Sequence, residues 1–493
     1  MLYPSLEEVK KLVAQPGIEQ IPVKMEMFMD MLTPIEAVRI IKGMTTHCFL
    51  LESAQTMGPR GRYSFIGYDP ELEITCTDHE ATIKSKTAHT VKTPHPAEII
   101  RKILKENKAP VIDGMPQFTG GLAGYFAYDY IRYAEPKLEL TDDDGLFKDA
   151  DLMLFHKIIA FDHYRQKIDL ICHVSAKEAE TSYKKAEMTL ESLARLLMAK
   201  QYAPNPPLKL KGPLKAQFSK ERYCEMVKKA KKYIYEGDIF QVVLSNRMEA
   251  PMTGSLFDTY RVLRTTNPSP YMFYFSGSDL EIAGASPETL VRLENQTVTT
   301  FPLAGTRKRG ASEKEDAAIR EELLSDEKER AEHNMLVDLG RNDLGKVSDI
   351  GTVNVEKYMS VETFSHVMHI GSQVSGRLRK DKDALDVIDA VLPAGTLSGA
   401  PKFRACEIIH ELEGSQRGIY GGAIGYLDLT GNMDVCISIR LAYAKNGRVF
   451  VQSGAGIVAD SDPEKEYEEC QNKARAVAEA LKAAEGGLYD CID

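Results

Sequence analysis

Apolar residues change period several times along the chain, and each change marks an element. Ser5 and Glu8 form an S-x-x-E capping box ahead of Val9 and Leu12, which predicts a first helix. Strand-like runs follow at residues 23–28 and 48–51, with a helix started by Thr33 and Pro34 between them. Residues 175–200 carry Glu, Lys, Ala and Leu at helical spacing. Residues 202–213 then hold four prolines and one glycine, which no helix tolerates. A domain boundary is expected there: residues 1–200 as one domain, 201–217 as a linker and 218–493 as a second domain. The second domain opens with a helix from Ser219 to a C′ glycine at Gly237. Beyond it, residues 239–244, 271–275, 297–301, 423–427 and 448–452 read as strands. Residues 325–339, 384–392, 401–412 and 463–484 read as helices. This order is neither strictly alternating nor segregated. It predicts an α+β fold with large mixed or antiparallel sheets in a sandwich-like core, flanked by helices, in two interlocked subdomains.

Composition narrows the class. The 493 residues suit about three ordinary domains or two large ones. With 62 basic and 72 acidic residues the formal charge is −10, which argues against a protein that tracks nucleic-acid phosphates. No run of about 18 apolar residues exists, so no membrane span is expected. The eight cysteines include no C-x-x-C pair, and the first residues lack an apolar signal core. Free thiols and a cytoplasmic location are therefore expected. Tryptophan is absent.

Two glycine motifs mislead. Gly340-Arg-Asn-Asp-Leu-Gly345-Lys346 matches a phosphate loop until Val347, where magnesium needs Ser or Thr, and it follows a helix rather than a strand. Gly454-Ala-Gly456 begins a dinucleotide fingerprint, but Asp460-Ser-Asp-Pro463 intervenes before the next helix. It is read instead as a glycine turn whose N–H groups face an anion.

Other residues suggest chemistry. In the last helix, capped by Asp462 with Pro463 behind it, Glu466, Glu469 and Lys473 share one face. In the helix near residue 330, Glu329 and Glu332 are spaced i, i+3. Each stripe alone reads as a solvated face; converging, they would offer hard oxygen ligands suited to Mg²⁺. His366 and His369 are three apart without an H-E-x-x-H frame, so one is a possible general base and zinc is disfavoured. Gly284-Ala-Ser-Pro-Glu288 puts a carboxyl in a turn after a strand, where a raised pKa would make it a general acid. Arg440 interrupts an apolar strand and needs an anionic partner.

In combination these segments resemble the chorismate-utilising enzymes and, among them, the family of anthranilate synthase large components. The matching runs are Ile239-Phe-Gln-Val-Val-Leu-Ser245, Gly284-Ala-Ser-Pro-Glu288, Pro302-Leu-Ala-Gly-Thr306, residues 326–345, Leu392-Pro-Ala-Gly-Thr396, Ile437-Ser-Ile-Arg440, and residues 452–473. The resemblance implies Mg²⁺ held by Glu332 and Glu469 with Glu466 beside them, gripping the ring carboxylate of chorismate. It implies Glu288 as the acid that protonates the departing C4 hydroxyl, and His369 assisting loss of the C2 proton. Tyr420, Arg440, Lys473 and the Gly454-Ala455-Gly456 segment would hold substrate, with Gly305, Thr306 and Thr396 lining the site.

Two positions separate relatives. Gln241 stands where isochorismate and salicylate synthases carry a water-activating lysine, and an amide is no base. Ala304 stands where many aminodeoxychorismate synthases carry a nucleophilic lysine. Ammonia attack at C2, giving anthranilate and pyruvate, is therefore expected; an aminodeoxychorismate synthase is the alternative, and a tryptophan-binding protein with a dead site is a rival of another class. No G-x-C-x-G glutaminase turn occurs, so ammonia would come from a separate glutamine amidotransferase subunit in a hetero-oligomer. Leu50-Leu-Glu52-Ser53 resembles the family's tryptophan-sensing segment, with Pro270, Tyr271 and Met272 as its counterpart. Glu52 and Ser53 would bind the ammonium of an inhibitory L-tryptophan.

Overall fold

The computed structural model describes residues 2–54, 60–140, 145–363 and 367–488. His366 and Cys491 lie outside them. Among the described residues the strands form two large sheets, of 13 and 12 strands, in which neighbouring strands run antiparallel. This is the α+β architecture expected, without a mixed sheet.

Each sheet contains both halves of the chain. Cys48–Glu52 pairs with Tyr271–Ser276, with Leu51 opposite Phe273. Gly121–Phe126 pairs with Ala423–Asp428. The sheets meet face to face through aromatic side chains. Phe49 and Tyr443 from the first pack with Tyr125 and Tyr426 from the second, and Phe49 meets Phe155 edge-on at 4.8 Å between ring centres. Phenylalanine and tyrosine fill this interior in a chain with no tryptophan. The proline-rich stretch is tied down, since Lys209–Leu210 and Lys215–Ala216 each pair with Gln241–Thr253.

Helix ends follow the local sequence. Ser5 and Glu8 make the reciprocal capping box, and Thr33 with Glu36 makes another before Pro34–Ile41. Lys220–Glu236 is capped by Ser219 and ends at Gly237 in the left-handed conformation. Asp462 accepts from Glu464 and Lys465 to start Pro463–Ala483. That helix packs on the strand Arg448–Ile457 and on the helices Lys220–Glu236 and Phe257–Thr266.

Three local expectations are corrected. Gly454, Ala455 and Gly456 are not a turn; they belong to the strand Arg448–Ile457, opposite Ser245, Leu244 and Val243. Arg440 does not interrupt a strand; it lies in the connection between Met433–Ile437 and Leu441–Lys445, with φ +55°. The helix expected over residues 325–339 spans Glu327–Gly345 and so runs on through the phosphate-loop lookalike, which the sequence already sets aside. A separate helix, Glu313–Ser325, precedes that one. The seven described cysteines are free thiols. Among the described residues no helix is long and apolar enough to cross a membrane.

Candidate active site

One cavity of about 640 Å³ gathers the residues singled out from three distant stretches of sequence. Glu288, His369, Thr396, Gly305, Thr306, Tyr420, Arg440, Gly454, Gly456 and Lys473 line it, together with Glu332, Glu466 and Glu469. Gln241 and Ala304 line it as well. Ala455 does not: its methyl is buried on the other face of the strand, in an apolar cluster with Leu244 and Ile457. Alternation along a strand accounts for this, since successive side chains point to opposite faces.

Glu288 follows Pro287 in the turn between Leu280–Ser286 and Thr289–Glu294. It is no surface glutamate. Burial pushes its carboxyl up to about 7 against the partial relief of a 3.1 Å hydrogen bond donated by Thr396 Oγ1. Near neutrality much of it carries a proton, so it can act as an acid.

His369 lies on Val367–Arg377, beside a bulge in Leu303–Lys308. The bulge centres on Gly305, whose φ of +64° glycine tolerates without strain. It turns the Gly305 carbonyl toward His369, whose Nδ1 donates to it at 2.9 Å. Thr306 Oγ1 is 3.1 Å from the same nitrogen. With the proton on Nδ1, the lone pair lies on Nε2. Burial and the Arg440 charge lower the pKa of this histidine, which favours the neutral form that can accept a proton.

Arg440 is largely buried, and burial lowers its pKa. Its side chain donates to the Lys473 carbonyl at 3.4 Å. Among the described residues no carboxylate pairs with it directly, so the site presents an anion-seeking guanidinium beside Tyr420. Space requires glycine at 454, and at 456 it leaves room for the Gln241 side chain. A Cβ at Gly454 would stand 2.7 Å from the Leu244 carbonyl and 3.0 Å from the Tyr420 hydroxyl, and one at Gly456 would stand 2.8 Å from Gln241 Nε2.

The acidic wall comes from two helices. Glu332 is raised by burial and by the charges of Glu329 and Glu469. Glu466 is raised by burial and by Glu469. Lys473 pairs with Glu469 at 2.7 Å and donates to the Gly454 carbonyl at 3.2 Å. Arg307, which the sequence did not flag, takes Glu329 at 3.0 Å and Asp326 at 2.8 Å. Carboxylates raised by burial and by one another's charge fit a hard divalent cation in chemistry. Among the described residues, however, no three acidic, histidine or cysteine side chains stand at metal-binding spacing. The expected ligands Glu332, Glu466 and Glu469 share a cavity without forming a closed metal site.

A second, smaller cavity lies between the sheets. Glu52, Ser53, Pro270, Tyr271 and Met272 line it, with Phe65, Tyr426 and Asp434. The Glu52 carboxylate already has partners: Arg264 at 2.8 and 3.1 Å, the Tyr260 hydroxyl at 2.5 Å and Ser64 Oγ at 3.2 Å. An ammonium entering this cavity would have to share it. Tyr271 donates its hydroxyl to Asp434 at 2.7 Å.

Comparisons with known proteins agree with this geometry. The family model described as chorismate binding enzyme matches residues 46–479. Anthranilate synthase component 1 of Acetivibrio thermocellus is 46% identical, over 98% of this chain and 99% of that protein. The component 1 of Aquifex aeolicus is 43% identical over 98% of each. The crystal structure of anthranilate synthase component I from Streptococcus pneumoniae TIGR4 superposes with a TM-score of 0.76 at 38% identity, covering 92% of this chain and 99% of that one. The menaquinone-specific isochorismate synthase MenF of Escherichia coli shares the fold, with a TM-score of 0.70 at 20% identity.

Proposed function

The chain belongs to the chorismate-binding enzymes, and from that premise we propose that it catalyses the anthranilate synthase reaction: chorismate and ammonia to anthranilate, pyruvate and water. The observation that carries this reading is Glu288, a buried carboxyl raised to about 7 in a cavity shared with His369 and Arg440.

Chorismate is a dicarboxylate. Arg440, beside Tyr420, receives the enolpyruvyl carboxylate, and Lys473 with the Gly454 and Gly456 backbone closes that end. The carboxylates Glu332 and Glu469, with Glu466, are the residues that would hold Mg²⁺. Bound there, the ion would fix the ring carboxylate and draw electron density from the ring. Glu288 gives its proton to the C4 hydroxyl, which leaves as water while ammonia forms a bond to C2, both ring double bonds shift, and the new ammonium gives up a proton that makes good the one Glu288 lost. His369 then assists removal of the C2 proton. The bond from C3 to the enolpyruvyl oxygen breaks, pyruvate leaves, and the ring becomes aromatic. Gln241 cannot activate water and Ala304 offers no amine for a covalent step, so ammonia addition at C2 is favoured over the isochorismate and aminodeoxychorismate outcomes.

The ammonia source is a separate glutamine amidotransferase subunit, since the relatives are named as first components. Residues 1–200 serve as a tryptophan-sensing part and residues 218–493 as the catalytic part of a cytoplasmic enzyme at the entry to tryptophan synthesis. The cavity lined by Ser53 and Met272 is the L-tryptophan site. It bridges the two halves of the chain, so occupancy would bias their relative arrangement and with it the active site.

Incubating the purified chain with chorismate, an ammonium salt and Mg²⁺ tests the reaction. Fluorescent anthranilate and equimolar pyruvate are expected. Accumulation of 4-amino-4-deoxychorismate or isochorismate instead would refute the assignment.

A further inference from the structure

Just behind the cavity wall lies an ion pair that does not itself line the cavity. Glu413 is the last residue of the helix Lys402–Glu413, and Gly414 then turns the chain in the left-handed conformation. This brings Arg417 back onto Glu413. Arg417 Nε and Nη2 donate to its two carboxylate oxygens at 2.9 and 2.5 Å. Both side chains are essentially inaccessible, at 1% and 2% exposure. A buried pair of this kind is weak evidence for stability, because desolvation offsets the attraction. Its remaining hydrogen bonds point to another role.

Arg417 Nη1 donates to the Leu397 carbonyl at 2.6 Å, and Nη2 donates to the Val243 carbonyl at 2.6 Å. Leu397 closes the short turn Gly395–Leu397, whose Thr396 hydroxyl holds Glu288. Val243 lies two residues beyond Gln241 on the opposing wall. Glu413 Oε1 accepts from Ser245 N at 2.7 Å and from Ser245 Oγ at 3.0 Å. Ser245 Oγ in turn accepts from Gln452 Nε2 at 2.8 Å, and Gln452 lines the cavity. The guanidinium also lies over the Tyr128 ring at 4.6 Å. One planar fork thus ties the turn that aims Thr396 to the strand that carries Gln241.

We propose that Arg417 and Glu413 are positioning residues, which hold the Gly395–Leu397 turn so that the Thr396 hydroxyl stays on Glu288 and sets how readily that carboxyl keeps its proton. This inference rests on the reading of Glu288 as the acid. A lysine at 417 would keep the charge but has no planar fork to span a carboxylate and two carbonyls. Released, the turn would withdraw a hydrogen bond that favours the carboxylate, and Glu288 would hold its proton to higher pH.

The test titrates Glu288 directly. Its protonated carboxyl band is found in infrared difference spectra by its loss in Glu288→Gln. In Arg417→Lys the band should titrate at least about half a pH unit higher than in the parent. Thr396→Val should give a similar shift, and the double variant should add little to either. Ser245→Ala, which removes one donor to Glu413 and is gentler on the fold, should move the midpoint in the same direction by less. In turnover, the pH above which kcat falls should move up with the band, while KM for chorismate changes less than about three-fold. If Arg417→Lys fails to fold, Ser245→Ala decides. An unmoved midpoint in the folded variants overturns the proposal, whatever their activity. Failure of the parent to make anthranilate overturns the functional reading and leaves the titration result standing on its own.

Discussion

Replacing Glu288 with glutamine should exchange activity for stability, and the exchange should depend on pH. Glutamine keeps the shape and an oxygen for the Thr396 hydroxyl, but it has no acidic proton. At a value of about 7, against an ordinary 4.5, roughly half of Glu288 is protonated at pH 7, where an ordinary glutamate would be protonated about once in 300 molecules. The raised value has a consequence for folding. Between the unfolded value near 4.5 and the folded value near 7, the native state binds the extra proton. Stability is therefore fully present below the lower value and is lost as pH rises through the higher one. The loss reaches roughly 3 kcal/mol once the carboxylate is ionised in its buried place. Glu288→Gln removes that loss. The variant should match the parent's stability at pH 4.5 and exceed it by up to about 3 kcal/mol at pH 8.5. Parent kcat should fall about ten-fold per pH unit above the folded value, and the variant should lose about 10²–10⁴-fold in kcat. Denaturant melts at the two pH values and initial rates of anthranilate fluorescence read both effects. A stability difference that is the same at both pH values, or a variant with more than about a tenth of parent kcat, would refute the reasoning.

Three further outcomes are expected. Glu332→Ala and Glu469→Ala should each abolish Mg²⁺-dependent turnover with less effect on thermal unfolding than a core truncation, and chelation should mimic them reversibly; normal rates in both would end the metal assignment. Arg440→Lys should raise KM for chorismate about 10- to 100-fold, because a point charge replaces a fork that pairs with no carboxylate among the described residues; steady-state kinetics over a range of chorismate checks it. Ser53→Phe should fill the smaller cavity, leave anthranilate formation within about two-fold, and remove inhibition by L-tryptophan, so a variant still inhibited like the parent would exclude that cavity as the regulatory site.

Local signals in the sequence were legible where the physics is local. The caps at Ser5, Thr33, Ser219 and Asp462, and the stop at Gly237, depend on a few neighbouring residues, and each appears in place. The spacing of Glu466, Glu469 and Lys473 likewise put them on one face. The helix Glu313–Ser325 left little trace, because only Asp316 and Leu323 are buried along it and its acidic residues blur the apolar period. The strand through Gly454 and Gly456 read as a turn because glycine is the usual mark of one. Here it marks close approach, with Tyr420 and Gln241 standing where side chains would be. Arg417 gave no signal at all. Its role depends on carbonyls at 243 and 397, which only the tertiary fold brings together. The meeting of the two acidic helices is of the same kind, since Glu327–Gly345 packs on strands of one sheet and Pro463–Ala483 on a strand of the other.

The charges around the cavity are incomplete in a patterned way. Glu329 is satisfied by Arg307 and Glu469 by Lys473, each within 3.0 Å. Glu332 and Glu466 are left raised by burial and by neighbouring acids, while Arg440, in the same cavity, bonds a carbonyl and, among the described residues, no carboxylate. Apposing Glu332 to Arg440 would have relieved both, and the fold instead keeps them on separate elements, the helix Glu327–Gly345 and the connection before Leu441–Lys445. A dicarboxylate laid between them answers the guanidinium with one end and brings a second negative group to the acidic wall. That second group is tolerated only together with a divalent cation, so each makes room for the other. The partly protonated Glu288 and the His369 imidazole fit this arrangement. Burial disfavours a charge on either, so neither adds a full charge to the balance that the substrate and the cation complete.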